Sequence, residues 1–310
     1  MKKLGGVIEA QQFDSETLKE IFRIAQDMER APDQRLLQGK LMASLFYEPS
    51  TRTRLSFESA MKRLGGDVVS TENARQFSSK AKGESLEDSI RVISAYCHVI
   101  VLRYHKEGGA ERARRFSRVP VINAGDGKGQ HPTQALLDLY TIRKAFGSVS
   151  GLTVAMVGDL ANGRTVRSLS YFLAKHFPDN RIIFVSPAQT KMGDDIKTYL
   201  TEHKVEWSET DDLRATAPAA DVIYQTRVQK ERFQEEQSAY EKVMKESERF
   251  AITGETLGLM KKKAIIMHPL PRITEISFAV DQDPRARYFE QAENGLYVRM
   301  ALLKMILAGY

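Results

Sequence analysis

LMASLFYEPSTRTRLSFESAMKRLGG, residues 41–66, carries the reading of the fold. Residues 41–47 form a short apolar run that Glu48-Pro49 ends, and they read as a β-strand. From Ser50 the period changes. Leu55, Phe57, Ala60, Met61 and Leu64 are apolar at mostly helical spacing, and Gly65-Gly66 stops the helix. A strand leading through a polar segment into a helix opens a strand–helix–strand series.

The same alternation continues outward. An amphipathic helix built on Leu18, Ile21, Phe22, Ala25 and Met28 precedes the stretch. Strands are expected over 67–71, 98–103 and 119–123, with a helix over 84–96 between the first two and another over 132–146. After Gly147 the pattern restarts, with strands over 152–158, 181–185, 221–225 and 264–268 and helices over 164–177, 189–202 and 288–307. A Glu/Lys-rich polar stretch fills 229–248. Two such series predict an α/β fold of two domains, each a parallel sheet flanked by helices and joined through a helix.

Composition narrows the class. The chain has 310 residues, 42% hydrophobic and 28% charged, with 46 Lys+Arg against 40 Asp+Glu, a net charge of +6. Residues 1–155 hold 24 cationic and 18 acidic side chains, so the whole excess lies in the first half. The one cysteine, Cys97, excludes an intrachain disulfide framework and a multi-cysteine metal site. No apolar run reaches membrane-spanning length, and no secretory pattern follows Met1. The expectation is a cytoplasmic protein with no membrane or nucleic-acid partner. The Arg112, Arg114, Arg115, Arg118 group reads as a solvated helix face, since no nucleic-acid motif accompanies it.

Three strand-to-helix junctions carry chemistry. In Ser50-Thr51-Arg52-Thr53-Arg54 five donors stand in five residues where a helix begins. The dipole and open N–H groups there attract anions, and an arginine fork matches phosphate oxygens. The alternative is an ordinary Ser/Thr cap with solvated arginines. In the loop 125–134 (GDGKGQHPTQ), His131 and Gln134 lie three apart and can face one point; the alternative is a satisfied histidine in a Gly-rich turn. Residues 158–165 (GDLANGRT) nearly match a phosphate-binding loop, with Arg164 where the lysine would stand. That substitution suits a small anion such as a carboxylate better than a nucleotide; a plain tight turn is the alternative. Thr226-Arg227-Val228-Gln229 and His268-Pro269-Leu270-Pro271-Arg272 each follow a strand, where α/β proteins bind ligands. Ser78–Glu84 is a polar loop able to cover a site; the alternative is a mobile surface loop. No second ligand stands at metal spacing around His131.

Together STRTRLSFE (50–58), HPTQALLD (131–138), GDLANGRTVRS (158–168), TRVQKERF (226–233) and HPLPR (268–272) resemble the catalytic chains of the aspartate carbamoyltransferase family, in order and spacing, from about Val7 to the end. IEAQQF (8–13) and the loop around Phe77 are most similar to its plant-type branch. The resemblance implies a carbamoyl-phosphate domain over 1–146, an aspartate domain over 147–286 and a terminal helix over 287–310 that returns to the first. It implies carbamoyl transfer from carbamoyl phosphate to the α-amine of L-aspartate, in pyrimidine synthesis, without cofactor or metal. It implies a homotrimer with active sites shared between subunits. Some relatives also join a separate regulatory chain.

Residue by residue, the resemblance assigns Ser50, Thr51, Arg52 and Thr53 to the phosphate. It assigns Thr53, Arg103 and His131 to the carbonyl oxygen, and Gln134 with the Leu270 backbone to the carbamoyl NH2. Arg164, Arg227 and Gln229 take aspartate's carboxylates, and Ser78 and Lys82 enter from a neighbouring subunit. The plant-type likeness further raises direct inhibition by uridine monophosphate through the Phe77 loop. Rival readings are transfer to another amine such as ornithine, a non-catalytic phosphate or nucleotide binder, and a basic nucleic-acid binder.

Overall fold

The structure, a computed structural model, describes residues 3–72, 83–228 and 237–308. The chain divides into two compact units. One holds the described residues up to Tyr140 and those from Ala292 onward; the other runs from Thr141 to Gln291. Both crossings fall inside helices.

The first unit is built on β1 (Leu41–Phe46), β2 (Asp67–Glu72), β3 (Val99–Tyr104) and β4 (Val121–Asp126). They form a parallel sheet in the order β2-β1-β3-β4. Its helices are α1 (Ser15–Arg30), α2 (Thr51–Arg63), α3 (Leu86–Ile93), α4 (Gly109–Phe116) and the start of α5 (Pro132–Phe146). Alternate residues of the central strands point to opposite faces. Ala43, Leu45, Ile100 and Leu102 pack with Leu86, Ile90 and Ala113 on one face. The residues between them, Met42, Phe46, Val99 and Val101, are equally buried. Burial on both sides explains why these strands read as continuous apolar runs.

The second unit has β5 (Thr153–Val157), β6 (Arg181–Val185), β7 (Glu206–Thr210), β8 (Val222–Gln225) and β9 (Ile265–Met267), all parallel, in the order β7-β6-β5-β8-β9. Helices α6 (Arg164–His176), α7 (Asp194–Glu202), α8 (Leu213–Thr216), α9 (Gln237–Ser247) and α10 (Gly254–Leu259) accompany it. Its core joins Ala155, Val157, Ile183, Val185, Ile223 and Ile266 to Phe250, Ile252 and Ile276. Helix α11 (Tyr288–Leu307) then carries the chain back into the first unit. The expected class, two parallel-sheet α/β units, is what the chain forms.

In each sheet the chain begins at an inner strand, builds to one side, and returns to build to the other. The reversal lies between β1 and β3 in the first unit and between β5 and β8 in the second. Such switch points open a crevice at the carboxyl ends of the strands, where α/β proteins bind ligands.

Local differences from the sequence reading have physical causes. The helix expected over 189–202 is a 3-10 turn, Ala188–Thr190, followed by α7. Lys191 and Gly193 are extended between them (ψ 153° and 146°). The helix expected over 84–96 is the shorter α3, because the Ser85 side chain accepts from the Asp88 N–H and starts it later. The edge strand β7, with Glu206, Trp207, Ser208, Glu209 and Thr210, went unread; it is partly exposed and needs no apolar run.

Candidate active site

In the first unit the site residues gather along the carboxyl edge of β1, β3 and β4. Ser50 is the N-cap residue of α2, yet its side chain makes no capping bond, contrary to the ordinary-cap alternative. Thr51 and Arg52 are exposed on the first turn, while Thr53 is buried. Arg54 is taken up within the unit, 3.1 Å from Glu72. Arg103 stands beside Phe46 in the β1–β3 register, and the Tyr47 N–H donates to the Arg103 carbonyl at 2.9 Å. Its guanidinium lies 3.6 Å from Glu48 and 3.4 Å from the Ala124 carbonyl of β4.

The loop after β4 is held by Asp126, which accepts from the Gly108 and Gln130 N–H groups at 3.0 and 2.9 Å. Gly127 has φ 48°, and a Cβ there would sit 2.6 Å from the Glu107 nitrogen, so the turn needs glycine. Gln130 in turn bonds Gln11 and the Ala10 N–H, giving the IEAQQF stretch a packing role. The loop delivers buried His131 and Gln134 to the start of α5, with the Gln134 N–H on the His131 carbonyl at 3.0 Å.

In the second unit a matching edge forms from β5, β8 and β9. Gly158 ends β5 with φ 109°, and a Cβ there would meet the Thr226 carbonyl at 2.3 Å. Thr226 bonds the Val157 carbonyl through both its N–H (2.8 Å) and its hydroxyl (2.9 Å). Arg164, first residue of α6, and Arg227, just after β8, thus follow neighbouring strands, β5 and β8. A cavity of about 80 Å³ lies here, with Gly158, Gln225, Thr226 and Glu275 in its wall.

The loop after β9 holds Leu270 with φ 52°, a left-handed conformation that costs a non-glycine residue about 1–3 kcal/mol. His268 is fully buried beneath it. Its Nδ1 accepts from the Leu270 N–H at 2.7 Å, so the proton is on Nε2, which donates to Glu275 Oε1 at 2.8 Å. Burial works to raise the Glu275 carboxyl, but the bond from His268 and bonds from the backbone outweigh it and hold the group below its ordinary value. Arg272 is engaged by Asp281 and by the Tyr288 hydroxyl (2.9 Å), with its guanidinium over Phe278, and so braces this loop.

A common electrostatic feature marks these junctions. Helices α1, α3, α4, α7 and α11 each carry an acid in the first turn. Helices α8 and α9 carry none, and neither do α2, α5 and α6, whose first turns hold Thr51-Arg52-Thr53, Thr133-Gln134 and Arg164. Their positive ends are left for an incoming anion.

Two residues behind the site were missed by the sequence reading. Gln134 Nε2 donates to Asp138 Oδ1 at 2.9 Å, one turn along α5. Arg299 of α11 is 3% exposed, with its guanidinium 5.0 Å from the Phe57 ring of α2. Burial lowers it to about 10 while the Asp138 charge opposes that shift, so it remains a cation at neutral pH. Ser78, Lys82, Gln229 and the Phe77 loop lie outside the described residues.

Comparison with known proteins fits this geometry. Residues 6–144 match the carbamoyl-P binding domain, and residues 150–306 the Asp/Orn binding domain, of aspartate/ornithine carbamoyltransferases. The chain belongs to that family. It is 58% identical to the chloroplastic aspartate carbamoyltransferase of Arabidopsis thaliana, over 99% of this chain and 79% of that protein. It is 57% identical to chloroplastic aspartate carbamoyltransferase 2 of Pisum sativum, over 99% and 80%. The aspartate transcarbamoylase of Trypanosoma cruzi in complex with carbamoyl phosphate and aspartate matches with a TM-score of 0.93 at 39% identity, covering 99% of this chain and 98% of that one. Within the family the likeness is thus to the aspartate enzymes, as the motifs implied. The expectation of a cytoplasmic location is overturned, because the relatives from Arabidopsis thaliana and Pisum sativum are chloroplastic.

Proposed function

We propose that the chain transfers the carbamoyl group of carbamoyl phosphate to the α-amine of L-aspartate, giving N-carbamoyl-L-aspartate and phosphate for pyrimidine synthesis. The observation that carries this reading is the pair of switch-point edges, each fronted by helix starts without acids and supplied with arginine.

The amine lone pair attacks the carbonyl carbon, an N–C bond forms, and the C–O bond to phosphate breaks. The departing phosphate takes the amine proton, so no protein base is required. Catalysis is then positioning and stabilisation of developing charge. Ser50, Thr51, Arg52 and Thr53 hold the phosphate, and Arg52 stabilises it as it leaves. Thr53, Arg103 and His131 stabilise the oxyanion. The Gln134 and Leu270 carbonyls take the NH2 group; Gln134 suits this because its own NH2 is committed to Asp138. Arg164, Arg227 and Gln229 hold aspartate's carboxylates. Ser78 and Lys82 come from a neighbouring subunit of a homotrimer, whose excess positive charge lies in the phosphate half.

The test is product identity from carbamoyl phosphate with aspartate and ornithine offered separately. Carbamoyl-aspartate alone supports the reading, and citrulline would overturn the acceptor half of it.

A further inference from the structure

We propose that Glu275 is a positioning residue for carbamoyl transfer: acting through the His268 imidazole, it fixes the backbone of Leu270 at the carbamoyl group. The inference rests on the reading that Leu270 holds the carbamoyl NH2, and it extends that role to the two buried side chains tied to the Leu270 backbone, His268 and Glu275.

The relay is continuous in the structure. Glu275 Oε1 accepts from His268 Nε2 at 2.8 Å, and His268 Nδ1 accepts from the Leu270 N–H at 2.7 Å. The other carboxylate oxygen accepts from the Ile273 and Thr274 N–H groups, both at 3.1 Å. The start of the loop is tied separately, by the His268 N–H on Gln291 Oε1 at 2.8 Å. Its far end is tied by the Ile252 N–H on the Glu275 carbonyl at 2.9 Å. Anchored at both ends and braced at Arg272, the loop has in this relay the strut that ends on the residue with φ 52°.

A left-handed leucine persists only where its surroundings over-determine it. The chemistry of the strut suits that task. An imidazole whose Nδ1 receives an N–H must carry its proton on Nε2, and a buried carboxylate is the acceptor that holds this tautomer. Without the carboxylate, the ring is free to shift its proton to Nδ1. It would then oppose the Leu270 N–H rather than accept from it. The signal in sequence is the spacing His268-x6-Glu275 across a loop stiffened by two prolines.

The experiment compares Glu275→Ala and Glu275→Gln with the unmodified chain, reading kcat, KM for carbamoyl phosphate, and the inhibition constant of inorganic phosphate. Glutamine keeps an acceptor for His268 but loses one for the Ile273 and Thr274 N–H groups. In Glu275→Ala the KM for carbamoyl phosphate should rise at least fivefold and kcat fall at least tenfold. The phosphate constant should stay within twofold, since phosphate lacks the NH2 group that Leu270 holds. Glu275→Gln should recover at least half of the loss in kcat on a logarithmic scale. If the alanine variant does not fold, Glu275→Asp, which retracts the carboxylate by one methylene, should show the same split. Parallel weakening of phosphate and carbamoyl phosphate, or glutamine no better than alanine, would mean that Glu275 only holds the loop together and would overturn the inference. An unmodified chain that forms no carbamoyl-aspartate would instead remove the reading beneath it.

Discussion

Gln134 donates its amide N–H to the buried carboxylate of Asp138, 2.9 Å away and one turn further along the same helix. That bond decides which end of the Gln134 side chain is left for the substrate that the proposed function places there. With the NH2 engaged, the carbonyl remains as an acceptor for a carbamoyl NH2. Gln134→Ala should therefore lower kcat by about 10–100-fold, the range expected when a reacting group loses its orientation. It should cost about 1–3 kcal/mol of stability, because the buried Asp138 carboxylate loses a donor. Steady-state kinetics and urea unfolding of the same preparation check both halves.

Asp138 has a second consequence, through Arg299. The guanidinium is buried against Phe57, and the Asp138 charge favours its protonated form. Asp138→Ala removes that charge and the acceptor of the Gln134 amide, and unfolding free energy should fall by about 1–3 kcal/mol. The double variant Asp138→Ala with Arg299→Met should be more stable than Asp138→Ala alone. A double variant less stable than the single one would contradict this coupling.

Gly158, just past β5, lies against Thr226, just past the neighbouring β8. An added methyl would meet the Thr226 carbonyl at 2.3 Å from a backbone at φ 109°. The strained φ and the overpacking together cost about 2–5 kcal/mol. Gly158→Ala should lower the melting temperature and raise KM for aspartate more than for carbamoyl phosphate, because Arg227 directly follows Thr226 and Arg164 opens the helix after Gly158. Equal changes in the two KM values would speak against it.

Glu275 gives the protein a pH dependence of defined sign. Its carboxyl lies below the ordinary 4.5 in the folded chain. The ionised group therefore stabilises the fold at pH values above about 4.5, and this contribution is lost as the pH falls through the depressed value. The stability gap between the unmodified chain and Glu275→Gln should be widest near pH 7 and narrow progressively below 4.5. Unfolding curves at pH 7, 5 and 4 measure it, and a constant gap would refute the linkage.

Much of this was legible in the sequence because parallel strands buried on both faces must be apolar throughout, so β1, β3, β5 and β8 stood out. The junction motifs were legible because anion binding at a helix start needs particular donors in a short span. What was hidden depends on distance or exposure. Strand β7 is a polar edge, and an edge strand does not announce itself by hydrophobicity. Glu275 and Arg299 act through His268 and Phe57, and no spacing rule links Arg299 to a ring 242 residues earlier. Asp138 could have been found, since it sits four residues after Gln134 inside HPTQALLD.

The shared-site proposal concerns the assembled protein. Lys82→Gln and Arg52→Ala should each be nearly inactive alone. Reassembled together, they should regain part of the activity, because some sites then combine an intact Lys82 from one subunit with an intact Arg52 from another. Mixed trimers without recovery would count against a site shared between subunits.

In the proposed function the two switch points divide the substrates, phosphate in the first unit and aspartate in the second. Titration calorimetry of carbamoyl phosphate into Arg52→Ala and Arg164→Ala tests it most directly. Arg52→Ala should lose about 10–100-fold in affinity, as expected for a charge-assisted contact. Arg164→Ala should bind carbamoyl phosphate within about twofold of the unmodified chain while its KM for aspartate rises by about 10–100-fold. Undiminished binding to Arg52→Ala, or lost binding in Arg164→Ala, would contradict the division.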